Sequence, residues 1–118
     1  MPDLSIESRE TDDVVVIYPR GFINAHTVRT FEQELNRAVE SGRVKMVING
    51  SGLAYIASAG LGVIMGLVEE VRARGGDIRL TDLNDTVLNI FEVVGFNHLY
   101  RVFGSEREAI ESYRAGKA

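Results

Sequence analysis

The chain has 118 residues, 45% hydrophobic and 25% charged, with a net charge of −4 and no cysteine. That suits one domain with one core, rules out disulfides and thiolate metal sites, and leaves no basic cluster of the kind a nucleic-acid backbone requires. The longest uncharged apolar run, Leu61 to Val68, is far short of the roughly 20 residues that span a bilayer, and Met1-Pro2-Asp3 opens no basic or apolar leader, so a cytoplasmic protein without membrane insertion is expected.

Leu4 to Glu10 alternates weakly and predicts an edge strand. Val14 to Tyr18 is β-branched and aromatic, a strand that Pro19 ends or places at a sheet edge, and Gly21 opens a turn. Asn24 is expected to cap a first helix, in which Val28, Phe31, Leu35, Ala38 and Val39 follow helical spacing up to Gly42. Lys45 to Asn49 suits a central strand. Tyr55 and Ile56 lead from a buried strand into a loop. A second helix is expected from about Ser58 to Arg74, with Leu61, Ile64, Met65, Val68 and Val71 as its core stripe. Gly75-Gly76 stops it, and Asp77 to Thr81 reads as another strand. Asn84 or Asp85 caps a third helix with Val87, Ile90, Phe91 and Val94 inward and Gly95 at its end. Leu99 to Phe103 reads as a last strand, and Ser105 with Glu108 forms a capping box for a final helix ending near Arg114. Strands alternating with helices after an initial hairpin imply an α/β fold: a single domain with a mixed sheet of about five strands and four helices.

The segment Tyr55-Ile56-Ala57-Ser58-Ala59-Gly60-Leu61-Gly62 joins a strand to the second helix. A helix N-terminus leaves backbone N–H groups unpaired and carries partial positive charge. A serine there can cap the helix. A phosphoserine gains more, because its oxygens meet those donors and that dipole. Gly60, Gly62 and Gly66 each cost a helix interior about 1 kcal/mol relative to Ala. At ~100° per residue, Ala59, Gly62, Gly66 and Ala73 fall opposite the core stripe. Either this smooth outward face admits another protein, or the glycines only serve tight packing within the fold.

These residues resemble the STAS domain, most closely the free-standing bacterial anti-sigma factor antagonists, over nearly the whole chain. Val14 to Thr27 is similar to the family's second strand and Gly-x-x-Asp-x-x-Thr turn. Lys45 to Leu53 resembles its third strand with Asp-Leu-Ser-Gly. Tyr55 to Gly62 resembles its Asp-Ser-x-Gly-Leu-Gly signature, and Asp77 to Asp82 and the apolar third helix also fit. The resemblance implies a non-enzymatic antagonist that binds an anti-sigma factor which is also a serine kinase. It implies phosphorylation of Ser58 by that kinase, separation of the complex, and resetting by a serine phosphatase. The implied partner surface holds Asn24, His26, Thr27, Ala57, Ser58, Ala59, Gly60, Gly62 and Gly66. Three positions depart from the family pattern, with Asn24, Asn49 and Ala57 standing where an Asp is usual. All three are expected to remove negative charge near one loop.

Other readings compete. Within the same family, the chain could be a constitutive partner-binding subunit of a transport or signalling assembly. Gly60 to Gly66 imitates a dinucleotide fingerprint, with Asp82 about 20 residues on, but its third glycine is one place late. Ile56-Ala57-Ser58-Ala59-Gly60 imitates a nucleophile elbow, and Ser58, Asp82 and His98 follow hydrolase order, but Ile56 replaces the first glycine. His26 and His98 read as surface residues without a second ligand at metal spacing. No cofactor is expected.

Overall fold

The computed structural model describes residues 3–115. Its strands are β1 (Leu4–Thr11), β2 (Val14–Ile23), β3 (Lys45–Asn49), β4 (Leu53–Ile56), β5 (Asp77–Thr81) and β6 (Val102–Phe103). Its helices are α1 (Val28–Glu40), α2 (Ser58–Ala73), α3 (Asp85–Val93), α4 (Phe96–Leu99) and α5 (Glu106–Ala115). The sheet order is β1-β2-β3-β5-β6, with β4 paired to the far end of β2. β1 and β2 form an antiparallel hairpin, and the other pairings are parallel, as crossovers through helices demand.

Alternation along the strands builds two cores. Val15, Ile17, Ile23, Met46, Ile48, Ile78 and Leu80 face α1, α2 and α3. Val14, Val16 and Val47 face Ala109, Ile110 and Tyr113 of α5 in a smaller cluster. Tyr113 ties α5 to the sheet through its hydroxyl, which accepts from Met46 N–H at 3.1 Å and lies 2.7 Å from the carbonyls of Met46 and Asp77.

Pro19 does not end its strand. β2 runs through it to Ile23. The N–H of Gly21 points to Gly52 on the β4 side, so Pro19, two residues earlier, turns its nitrogen the same way. β3 pairing stops at Ile17 and β4 pairing starts at Gly21. The missing donor therefore falls in a gap where no neighbour asks for it. Gly21 opens no turn; it sits in β2 at a register shift with φ +111°, where a side chain would collide with the Asp3 carbonyl.

Four other elements differ from the sequence expectation. Tyr55 and Ile56 belong to a sixth strand, β4, in which only Leu53 and Ile56 are buried. Met65 is 51% exposed, and Leu67 takes its place in the core stripe with Gly60. Val94 lies just past the end of α3 and is 49% exposed. Leu99 to Phe103 is not one strand: Phe96–Leu99 closes a helical turn, and only Val102–Phe103 pairs, with β5. Phe96 explains this by packing edge-on to Phe91 and against Tyr100, which makes a turn the arrangement that buries both rings.

Candidate functional site

Ile23 ends β2 and Ile56 ends β4, and the two are register partners. The N–H of Ala57 donates to the Ile23 carbonyl at 2.8 Å. The loop beginning at Asn24 and the loop beginning at Ala57 therefore leave the sheet side by side, and each enters a helix. Gly60 locks this junction: a Cβ there would stand 2.6 Å from Ile23 Cγ2 and 2.8 Å from Ile56 Cγ1.

Asn24 caps a turn rather than α1 itself, which starts at Val28 with Thr27 before it. Its Oδ1 accepts from the N–H groups of His26 and Thr27 at 2.9 and 3.1 Å, while Thr27 Oγ1 accepts from Asn24 N–H at 2.9 Å. This reciprocal exchange has the logic of a capping box. The Thr27 hydroxyl donates back to the Phe22 carbonyl at 2.7 Å, pinning the turn to β2. His26 is exposed beside it.

Ser58 is the first residue of α2, and its N-cap position is taken by Ala57, which has no side-chain acceptor. Ser58 is thus not the cap. Ala57 O accepts from Gly60 N–H at 2.9 Å and Leu61 N–H at 3.2 Å. The Ser58 and Ala59 N–H groups precede the first intrahelical bond, and no acidic residue lies in the first turn. The Ser58 side chain is exposed and has no hydrogen-bond partner among the described residues.

The outward face of α2 carries Ser58, Ala59, Gly62, Met65, Gly66 and Glu69, all exposed. A Cβ at Gly62 or Gly66 would meet nothing within 4 Å, so packing within the fold does not call for either glycine. Gly60 is different, being buried and required by packing, so it does not lie on that face. Sequence reasoning missed Met65, although it lies seven residues, or two turns, after Ser58 and so on the same side. It also missed Phe22 and Tyr55, register partners across β2 and β4 that are 49% and 41% exposed; alternation from the buried Ile23 and Ile56 places them on the opposite sheet face.

Asn49 does not share this loop. It is buried on the α5 face, in line with Val47, where its Nδ2 donates to Glu106 Oε1 at 2.9 Å and its Oδ1 accepts from Ser51 N–H at 2.9 Å. Partial burial pushes Glu106 upward, but hydrogen bonds from Asn49, Tyr18 and Arg9 outweigh it and hold the carboxyl below its usual value. An Asp at position 49 would set two carboxylates face to face. The other two departures, Asn24 and Ala57, do sit at the junction.

The enzyme-like motifs come apart. No hydrogen bond joins Ser58, Asp82 and His98 among the described residues, and His98 is exposed in α4. The glycines of the dinucleotide-like run lie inside α2, not in the turn before it where a pyrophosphate would need them.

A family model described as STAS domain matches residues 5–109. The anti-sigma-B factor antagonist of Listeria monocytogenes is 28% identical over 107 residues, covering 90% of this chain and 94% of that protein. An anti-sigma factor antagonist from Mycobacterium paratuberculosis superimposes with a TM-score of 0.87 at 19% identity, covering 97% of both chains. The antagonist SpoIIAA in its unphosphorylated form gives 0.80 at 23% identity over 94% of this chain and 97% of its own. The Bacillus cell fate determinant SpoIIAA in the phosphorylated form gives 0.69 at 24% identity over 92% and 98%.

Proposed function

The chain belongs to the STAS domain family, and from that premise we propose that it is an anti-sigma factor antagonist switched by phosphorylation of Ser58. It is a non-enzymatic binding module. Unmodified, it binds an anti-sigma factor through the Asn24–Thr27 turn and the outward face of α2, including Ala57, Ser58, Ala59, Gly62, Met65 and Gly66. The partner's serine kinase activity transfers the γ-phosphoryl group of ATP to Ser58 Oγ, leaving ADP, and the complex separates. A serine phosphatase hydrolyses the ester and restores the binding form.

The observation that carries this reading is the placement of Ser58: an exposed hydroxyl with no hydrogen-bond partner among the described residues, at an uncapped helix start, on a face left bare at Gly62 and Gly66. A phosphoryl group there adds about −1.5 to −2 charges. The α2 dipole and the free N–H groups stabilise that charge without refolding. A partner seated on the same face would have to bury it, which is unfavourable without a matching cation. Because the first turn of α2 holds no acid and Ala57 is apolar, the phosphate would turn an uncharged helix start into a strongly negative one.

Incubation with ATP and a serine-kinase anti-sigma factor of the same genome tests the chemistry. Intact mass spectrometry is expected to find one phosphoryl group on the wild type and none on Ser58→Ala. Equal modification of both proteins would refute the assignment of Ser58. Stable binding of the partner with no modification of either would favour the constitutive subunit instead.

A further inference from the structure

β1 is an open sheet edge eight residues long, whereas β6 at the other end has two residues. Long edges are normally blunted by proline, charged side chains, a bulge or a covering element. Leu4–Thr11 contains no proline, and its register against β2 runs without a shift from Leu4↔Gly21 to Thr11↔Val14. Its charged residues, Glu7, Arg9 and Glu10, are of both signs, so they disfavour most pairings but complement one another in a particular register. Nor does α1 cover it: Ile6, Ser8 and Glu10 border an open cavity of about 130 Å³ between β1 and α1.

The backbone phase of this edge is set by one bond. The Asp3 carbonyl accepts from Phe22 N–H at 2.9 Å and so faces β2. By alternation the backbone groups of Ser5, Glu7, Arg9 and Thr11 also face β2, and those of Leu4, Ile6, Ser8 and Glu10 face outward. An antiparallel copy of β1 can pair with these outward groups about a two-fold axis. With the axis at Glu7, two Glu7 carboxylates would oppose each other, which is unfavourable. With the axis at Ser8, Glu7 of each copy opposes Arg9 of the other. Arg9 donates Nε to Tyr18 at 3.1 Å and one Nη to Glu106; its other Nη has no partner among the described residues and can take a further carboxylate, its side chain being 51% exposed.

The geometry points to a homodimer formed by antiparallel β1–β1 pairing about Ser8, with two reciprocal Glu7–Arg9 ion pairs fixing the register. The interface is isologous and closes on itself, and so it ends at two copies.

The chain has no cysteine, which makes a cross-linking test clean. On the axis, Ser8 of one copy stands opposite Ser8 of the other at ~5.5 Å between Cα atoms, within the ~4.4–6.8 Å that a disulfide bridges. Ser8→Cys is expected to form a covalent dimer under mild oxidation, and Glu7→Cys, whose copies are offset along the strands, to do so far less. Sedimentation velocity of the wild type is expected to show a dimer whose fraction rises with concentration. Ser8→Pro removes only an outward N–H and is expected to be a folded monomer by circular dichroism and sedimentation. A wild type that stays monomeric into the high micromolar range, or a Glu7→Cys that cross-links as readily as Ser8→Cys, would overturn the inference.

Discussion

The three glycines of α2 are expected to respond to alanine in opposite directions. At Gly62 and Gly66 the new methyl group meets nothing within 4 Å. Each substitution then returns only the helix-propensity difference, a gain of about 0.5–1 kcal/mol. At Gly60 the methyl carbon would stand 2.6 Å from Ile23 Cγ2 and 2.8 Å from Ile56 Cγ1. Both isoleucines are at most 2% exposed, and the contacted atoms lie near their branch points, so they cannot swing aside. Overpacking of this kind costs about 1–3 kcal/mol. After the propensity gain, Gly60→Ala should be less stable than wild type by about 0.5–2 kcal/mol. Differential scanning calorimetry reads this as a Tm lowered by several degrees for Gly60→Ala and raised for the other two. A Gly60→Ala protein as stable as Gly62→Ala would refute the claim that Gly60 locks the β2–β4–α2 junction. A loss of stability at Gly62 or Gly66 would refute the claim that their bareness is unrelated to packing.

Tyr113→Phe should cost about 0.5–1.5 kcal/mol in denaturant unfolding, because it removes the buried hydroxyl that lies 2.7 Å from the Met46 and Asp77 carbonyls and ties α5 to β3 and β5. Asn49→Asp should destabilise the fold by a similar amount near neutral pH, since it replaces a 2.9 Å donor to Glu106 with a second carboxylate. That penalty should shrink in acid as one of the pair takes up a proton. In the wild type the folded protein holds Glu106 below its unfolded pKa. Its contribution to stability is therefore complete above the unfolded value and is lost as pH falls through the folded one. Glu106→Gln should flatten that acid limb of the stability–pH curve, and an unchanged limb would contradict the network.

Much of this architecture is legible in the residues. The strand–helix order, the α1 stripe of Phe31, Leu35 and Val39, and the strands Lys45–Asn49 and Asp77–Thr81 follow from local period and composition. What local pattern could not supply was the neighbour on each side. Pro19 reads as a stop until the gap between β3 and β4 is known. Met65 reads as core because α2 is apolar almost all round, so hydrophobicity alone cannot orient it. Leu99 to Phe103 reads as a strand because nothing local reveals that Phe96 and Tyr100 share a pocket with Phe91. At the candidate site, the Asn24 and Ser58 loops are 34 positions apart, and only the pairing of Ile23 with Ile56 joins them. Asn49 lies between them in sequence, yet its side chain goes to the other face, a matter of strand parity that spacing alone did not settle.

The central claim is that charge at Ser58 decides binding. Its most direct test is a calorimetric titration of an anti-sigma factor of the same genome with wild type, Ser58→Ala and Ser58→Asp. Ser58→Ala should bind like the wild type. Ser58→Asp should bind at least tenfold more weakly, a difference of about 1.4 kcal/mol, with its melting temperature unchanged or raised by the favourable helix-dipole placement. Equal affinity of the wild type and Ser58→Asp would contradict the account.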